Sequence, residues 1–416
     1  MQTKTSAAEQ FGFPSNSLKL KEITIVELLT VSALYFFFVA DLANKILIYL
    51  DFDFLRISLI PRAFYEILFV ALILVFSNRN RITFLLVTVS IFALFILGQI
   101  VFATNTGLHQ HYIENILLFN KYFFVFIIYF AVYKIQNHPD GVKRVISVME
   151  NLFLLNASLA IIGFIFGLDI FRTYINQPYR YGYSGVLWVQ NEASILYFLA
   201  ISYFYYKHFI LRQPTRRFYV VLIASFLLGT KAIYLFLVML LVFHFLSNSN
   251  LKTKILTAFL VTALYWAGSW FFQTEQAQLV LAYFVSKMNS EGIWYMLFSG
   301  RTLYIIERGS DIISNWSFLN YWIGGQDQST MMIEMDFFDL FFFMGIIGFV
   351  IYFALMFTTI FKFSLTKPFN LFFVFAYLLL AFMGGHFFSS VINALYVCLI
   401  SIYFYTSQAS PSNNAT

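Results

Sequence analysis

Five short stretches of this chain carry residues whose chemistry goes beyond packing. In YRYGYSGVLWVQNEAS, residues 179–194, Arg180 stands ahead of an apolar run headed by Asn191 and Glu192, with Arg172 further back. Gly182 and Gly185 permit tight turns there, and the free N–H groups of a helix start beside a guanidinium make a ready anion site. Taken singly, either arginine is also explained as an interfacial group touching lipid phosphates. In LLGTKA, residues 227–232, Lys231 occupies the turn of a very short apolar hairpin. Its ammonium either snorkels to the interface or sits in a recess, where it needs a partner. In SGRTLYIIERG, residues 299–309, a helix would place Arg301 and Arg308 on one face, about 10 Å apart along the axis. Two guanidiniums so placed suit a substrate with two or more phosphates. Glu307 and Asp311 equally make this a solvated helix, the reading we favour for Arg308. In WIGGQDQSTMMIEMDFFDLFFFMGIIG, residues 322–348, Glu334, Asp336 and Asp339 lead into an apolar run. One of them could deprotonate a hydroxyl nucleophile; the bland alternatives are a carboxylate cluster at a helix start and, for Asp339, a pair with Lys121. Finally His386, in MGGHFFSS, falls at the turn of the last hairpin, where a lone histidine is more often a satisfied interfacial residue. The other histidines, His109 and His111 among them, add little.

The elements that must position these residues are membrane helices. Of 416 residues 60% are apolar and 11% charged, against about 25% charged in a soluble domain. The mean hydropathy of +0.77 comes with repeated apolar runs of roughly 18 to 22 residues. This excludes a soluble enzyme, a fibrous protein and a nucleic-acid binder. Spans are expected at 23–40, 62–77, 82–103, 113–133, 145–167, 190–206, 218–230, 231–247, 255–273, 337–361, 369–384 and 389–406. The first reads as a retained signal-anchor. With both termini cytoplasmic, 16 of the 26 lysines and arginines fall on the inner side against five acids, as the positive-inside rule requires. Residues 23–406 then form one transmembrane domain between a cytoplasmic segment 1–22 and a tail 407–416. Its one long connection, 274–336, is expected as an ordered, partly helical outer cap. The lone Cys398 excludes a disulfide framework. No grouping has metal-ligand spacing, and no Walker, Rossmann or serine-hydrolase motif is present.

The order and spacing of these stretches resemble the bacterial O-antigen polymerase and ligase superfamily, most of all the Wzy-type polysaccharide polymerases. The resemblance is carried by the arginine and SGVLWVQNEAS ahead of span six, GTKA in the hairpin, SGR at 299–301 and GGQDQSTMMIEMDFFDLFFFMGIIG at 324–348. It implies an all-α, GT-C-like glycosyltransferase of the bacterial inner membrane, working at the periplasmic face without metal or cofactor. The donor is a glycan on undecaprenyl diphosphate. A polymerase passes it to a sugar hydroxyl of the next lipid-linked repeat, making O-antigen, capsule or exopolysaccharide; a ligase passes it to lipid A-core. The family's diphosphate-binding arginine maps onto Arg180, with Arg172 second. The basic hairpin residue, usually arginine, is Lys231, and the large-loop arginine is Arg301. Ligases typically carry His-Asn just ahead of the span after the large loop. Here that stretch reads MMIEMDFFDLF, which favours a polymerase with Glu334 or Asp336 as base and His386 as an outside candidate. A chain-length regulator and a flippase are candidate membrane partners. The rival class is a transporter or flippase, against which stand the absence of two similar halves and the late position of the long loop.

Overall fold

The computed structural model describes residues 15–52, 57–76, 78–106, 112–175, 180–247 and 275–409, with Thr262, Trp266, Ser269 and Gln273, and its regular elements are all helical. The expected ninth span and the loop holding His109 and His111 lie outside those residues. Six of the described helices are long and apolar enough to cross a membrane, so the chain is an all-α, multi-pass membrane protein.

The helices are α1 (Ser15–Tyr49), α2 (Leu59–Phe76), α3 (Asn78–Thr106), α4 (Tyr112–Val132), α5 (Pro139–Phe166), α6 (Gln190–Tyr205), α7 (Arg217–Phe226) and α8 (Lys231–Ser247). The cap follows with α9 (Glu275–Phe298), α10 (Arg301–Tyr304), α11 (Ser310–Ser314), α12 (Phe318–Ile323) and α13 (Gln328–Met331), and the bundle closes with α14 (Asp336–Thr358), α15 (Pro368–Met383) and α16 (Val391–Ala409). Helix α16 packs against α4, α5 and α6, while α1 and α2 lie against α5 and α4. Phenylalanine and tyrosine rings fill the seams, as in the stack of Phe198 on Phe373 at 5.3 Å. The α7–α8 hairpin is as short as its sequence implies. Ten residues of α7 reach about 15 Å, half the hydrocarbon thickness.

Two features depart from the sequence reading. Helix α1 continues to Tyr49 instead of stopping at residue 40, which brings Asp41 and Lys45 into the bundle. Helix α14 is broken at Gly345 (φ 64°), where the chain between α12 and α13 wedges against it. A Cβ on Gly345 would stand 2.3 Å from the Gly324 nitrogen, so only glycine allows the approach. The freed Phe342 carbonyl accepts from the Gly325 N–H at 3.1 Å, which is how a broken membrane helix stays satisfied. The last part of the cap is therefore built into the bundle. Asn320, Gln326 and Gln328 are buried, and Gln99 and Asn115 of the neighbouring helices bond to Gln326 and Asp327.

Candidate functional site

All five motifs meet at the capped end of the bundle, partly through backbone stitching. The loop after α5 and the α7–α8 turn touch main chain to main chain. A Cβ on Gly182 would sit 2.3 Å from the Leu228 carbonyl, and one on Gly229 2.0 Å from that of Tyr181. Tyr183 N–H donates to Leu227 O at 2.6 Å and Thr173 Oγ1 to Leu228 O at 2.8 Å. From below, the fully buried Lys45 of α1 donates to Ser184 Oγ (2.9 Å), Gly185 O (2.7 Å) and Leu187 O (3.1 Å). Asn156 of α5 bonds both sides of the same turn, to Ser184 O and from Val186 N–H. The segment carrying Arg180 is thus anchored to α1, α5 and the hairpin at once.

On this frame three cations converge from three parts of the chain. Arg180 lies over the Tyr174 ring, 4.9 Å from its centroid. Lys231 donates to Ser299 Oγ at 3.3 Å, and Ser299, at φ 55°, turns the chain into Gly300 and Arg301. Arg180 and Arg301 both act electrostatically on Lys231 and on the Tyr174 hydroxyl. Burial pushes that hydroxyl's pKa up, and the two guanidiniums pull it partly back. Arg301, only 15% exposed along its side chain, faces Glu334 at 3.6 Å and leaves Nε without a hydrogen-bond partner.

Arg172 and Arg308 are placed differently. Arg172 bonds to Asp169 (3.4 Å) and to the Arg180 carbonyl (3.2 Å), so it shapes the loop. Arg308 does share the 332–334 segment with Arg301, but a π turn over Ile305–Gly309 intervenes. Its guanidinium donates to Met332 O and stacks 4.2 Å over Tyr304. It closes the cap.

The carboxylates separate sharply. Asp336 is 1% exposed and its two oxygens accept three backbone N–H groups, from His386 (2.8 Å), Phe387 (2.5 Å) and Phe388 (3.1 Å). As a substrate-facing base it is therefore corrected: it is the clamp that shapes the 384–388 turn. Asp339 accepts from Ile333 N–H (2.8 Å) and Met335 N–H (3.0 Å), folding the segment ahead of its own helix. Only Glu334 is exposed. It adopts φ 65° and His386 φ 76°, rare for side-chain-bearing residues and typical of sites where surrounding structure holds strain. The two turns press together, since a Cβ on Gly385 would meet the Glu334 carbonyl at 2.9 Å. Burial lowers the His386 pKa from the usual 6.5, with Lys121 and Arg301 adding to the lowering and Glu192 and Glu334 opposing it.

Asn191 sits half-buried in the first turn of α6, but its neighbour Glu192 makes the contacts, accepting from Ser390 Oγ at 3.2 Å. Asp41 and Arg62 were not singled out from sequence, and Glu192 only as a head of the apolar run after Arg180. Their signal was a pair of charges at i and i+4, Asp41 and Lys45, in an apolar run that continues beyond them, and an arginine just inside the second run. No family model, curated protein or solved structure matches this chain.

Proposed function

We propose that this chain polymerises undecaprenyl-diphosphate-linked oligosaccharide repeats on the periplasmic face of the bacterial inner membrane, as the Wzy-type polymerases it resembles do. In this reading the fold has about twelve spans, both termini are cytoplasmic, and the site lies under the outer cap. The observation that supports it most is the gathering of Arg180, Lys231 and Arg301 beside Glu334 and His386. With no sugar nucleotide outside the cell, the glycan is carried there on a lipid, and undecaprenyl diphosphate is the leaving group. As the anomeric C–O bond breaks, the electron pair stays on the diphosphate oxygen, and three cations are suited to stabilise it. The acceptor hydroxyl forms the new glycosidic bond and gives its proton to His386, or to Glu334 beside it. Arg180 and Arg301 offer planar forks to phosphate oxygens, whereas Lys231 supplies a point charge.

A ligase-type transferase is the second reading, favoured by one observation. A histidine does stand beside the arginine–glutamate pair, although it comes from the last hairpin and not from the stretch where ligases carry theirs.

The deciding experiment is the surface-glycan ladder of a strain lacking the chain. A single repeat on its final acceptor means a polymerase, long polymer retained on undecaprenyl diphosphate means a ligase, and repeats trapped inside mean a flippase. Complementation with Arg180→Ala and Arg301→Ala at normal protein levels is expected to reproduce the null ladder. Full-length polymer from both would remove the diphosphate assignment.

A further inference from the structure

A second charged cluster reaches the surroundings of His386 through Glu192, and it is acidic. Arg62 of α2 donates from Nη2 to Asp41 Oδ1 of α1 at 2.6 Å. Glu192, in the first turn of α6, acts electrostatically on both of them and on His386. Two carboxylates against one guanidinium leave a net negative charge inside a membrane bundle, where unpaired charge is expensive and commonly functional.

Two details separate this cluster from a purely structural ion pair. Asp41 is 6% exposed, yet its Oδ2 has no hydrogen-bond partner, and neither has Nε of Arg62. A buried polar atom left unmet is costly, so a self-sufficient pair would have closed both. The cluster also connects to the 384–390 turn. Ser390 donates to Glu192 Oε1 at 3.2 Å, and Asn393 donates to the Glu192 carbonyl at 3.0 Å. Helix α6 begins at Gln190, so Glu192 lies in its first turn.

We propose that Asp41, Arg62 and Glu192 form the subsite for the acceptor sugar, taking a neutral glycan whose hydroxyls donate to the two carboxylates and accept from the guanidinium. The net negative charge repels a second diphosphate, which the cationic side attracts. Hydroxyls both donate and accept, and so match unpaired Asp41 Oδ2 and Arg62 Nε together. Ser390 and Asn393 tie Glu192 to the segment that follows His386, so a hydroxyl held at Glu192 is delivered next to that segment.

This inference rests on the transferase reading above, and two probes keep them separable. The chain in lipid nanodiscs is titrated with undecaprenyl diphosphate, and separately with the phosphate-free repeat-unit oligosaccharide released by mild acid from the producing cells' lipid-linked glycan. Asp41→Asn and Glu192→Gln are expected to weaken the oligosaccharide about tenfold and to leave undecaprenyl diphosphate within about twofold; Arg301→Ala is expected to do the reverse. Should a carboxylate variant fail to fold, Ser390→Ala, which releases only the Glu192 hydroxyl contact, is expected to weaken the oligosaccharide alone. Variants that bind the oligosaccharide as the wild type does, or that lose both probes in parallel, overturn the subsite. Wild type that binds undecaprenyl diphosphate and no oligosaccharide also overturns it while leaving the proposed function standing. Wild type that binds neither removes the proposed function itself.

Discussion

The two charged groups at the capped end are built in opposite ways. Arg180, Lys231 and Arg301 stand on loops and helix starts and are joined through a ring face and a serine hydroxyl, at 4.9 Å and 3.3 Å. Asp41 and Arg62 stand within helices, in direct contact at 2.6 Å, with Glu192 on the first turn of a third helix. The first group depends on backbone that few residues can adopt: glycine contacts at 182 and 229, and positive φ at Ser299 and, around it, Glu334 and His386. The second depends on helix packing. On the proposed function, long cations on turns would adapt to a bulky, charged leaving group, whereas carboxylates on helices hold fixed positions in a low dielectric, where orientation counts most. His386 lies within the fields of Arg301 and Glu192, clamped through its backbone by Asp336.

The comparison breaks first at its glycine seam. Gly229→Ala places a Cβ 2.0 Å from the Tyr181 carbonyl at a residue with φ 74°, so the loop carrying Arg180 must move. A displacement near 1 Å typically costs about a hundredfold in rate. Polymer formation in membranes is expected to fall by that order while oligosaccharide binding at the helix-borne cluster persists; loss of both together would show that the two regions are not independent.

Lys45→Met tests the tether between them. Removing an ammonium with three buried acceptors is expected to lower stability by about 2 kcal/mol, read as a drop in the thermal midpoint of the detergent-solubilised protein. An unchanged midpoint would mean that Asn156 alone holds the 184–187 turn.

The pH response sharpens the role of His386. His386 has a folded-state pKa below its ordinary value because of burial, with Lys121 of α4 and Arg301 of the cap adding to the lowering and Glu192 of α6 and Glu334 opposing it. The unfolded chain therefore takes a proton first as pH falls, so this group's contribution to stability is intact above about 6.5 and declines below it. Activity is expected to hold through neutral pH and to fade on the acid side. Glu192→Gln, by removing an opposing negative charge, is expected to move that acid limb to lower pH. A shift to higher pH would place another group in control.

The smallest effect is expected from Arg308→Ala. Its guanidinium is already engaged by Met332 O and Tyr304, so undecaprenyl diphosphate affinity should change by less than about threefold. A loss equal to that of Arg301→Ala would return Arg308 to the cationic group.

Much of the fold could be read from the chain because lipid leaves few solutions. Long apolar runs must be helices whose backbone satisfies itself, so six long apolar helices, the short hairpin and the helical character of 275–331 follow from composition and spacing. The cationic residues were legible for a related reason: charges at the edges of apolar runs are costly, so Arg180, Lys231 and Arg301 stood out. What spacing could not supply was distance between segments. Arg180 and Arg172 look alike in sequence, and only the fold turns one towards Tyr174 and the other towards Asp169. Glu334 and Asp336 differ by two positions, yet one is exposed and the other is enclosed by three backbone donors contributed from 50 residues away. The acidic cluster was hidden by a boundary, because ending α1 at residue 40 placed Asp41 outside the bundle. Local pattern determines which segments become helices and where charge is expensive. Which charges meet, and whether a carboxylate's oxygens are already taken, depends on contacts between residues far apart in the chain, and only packing decides those.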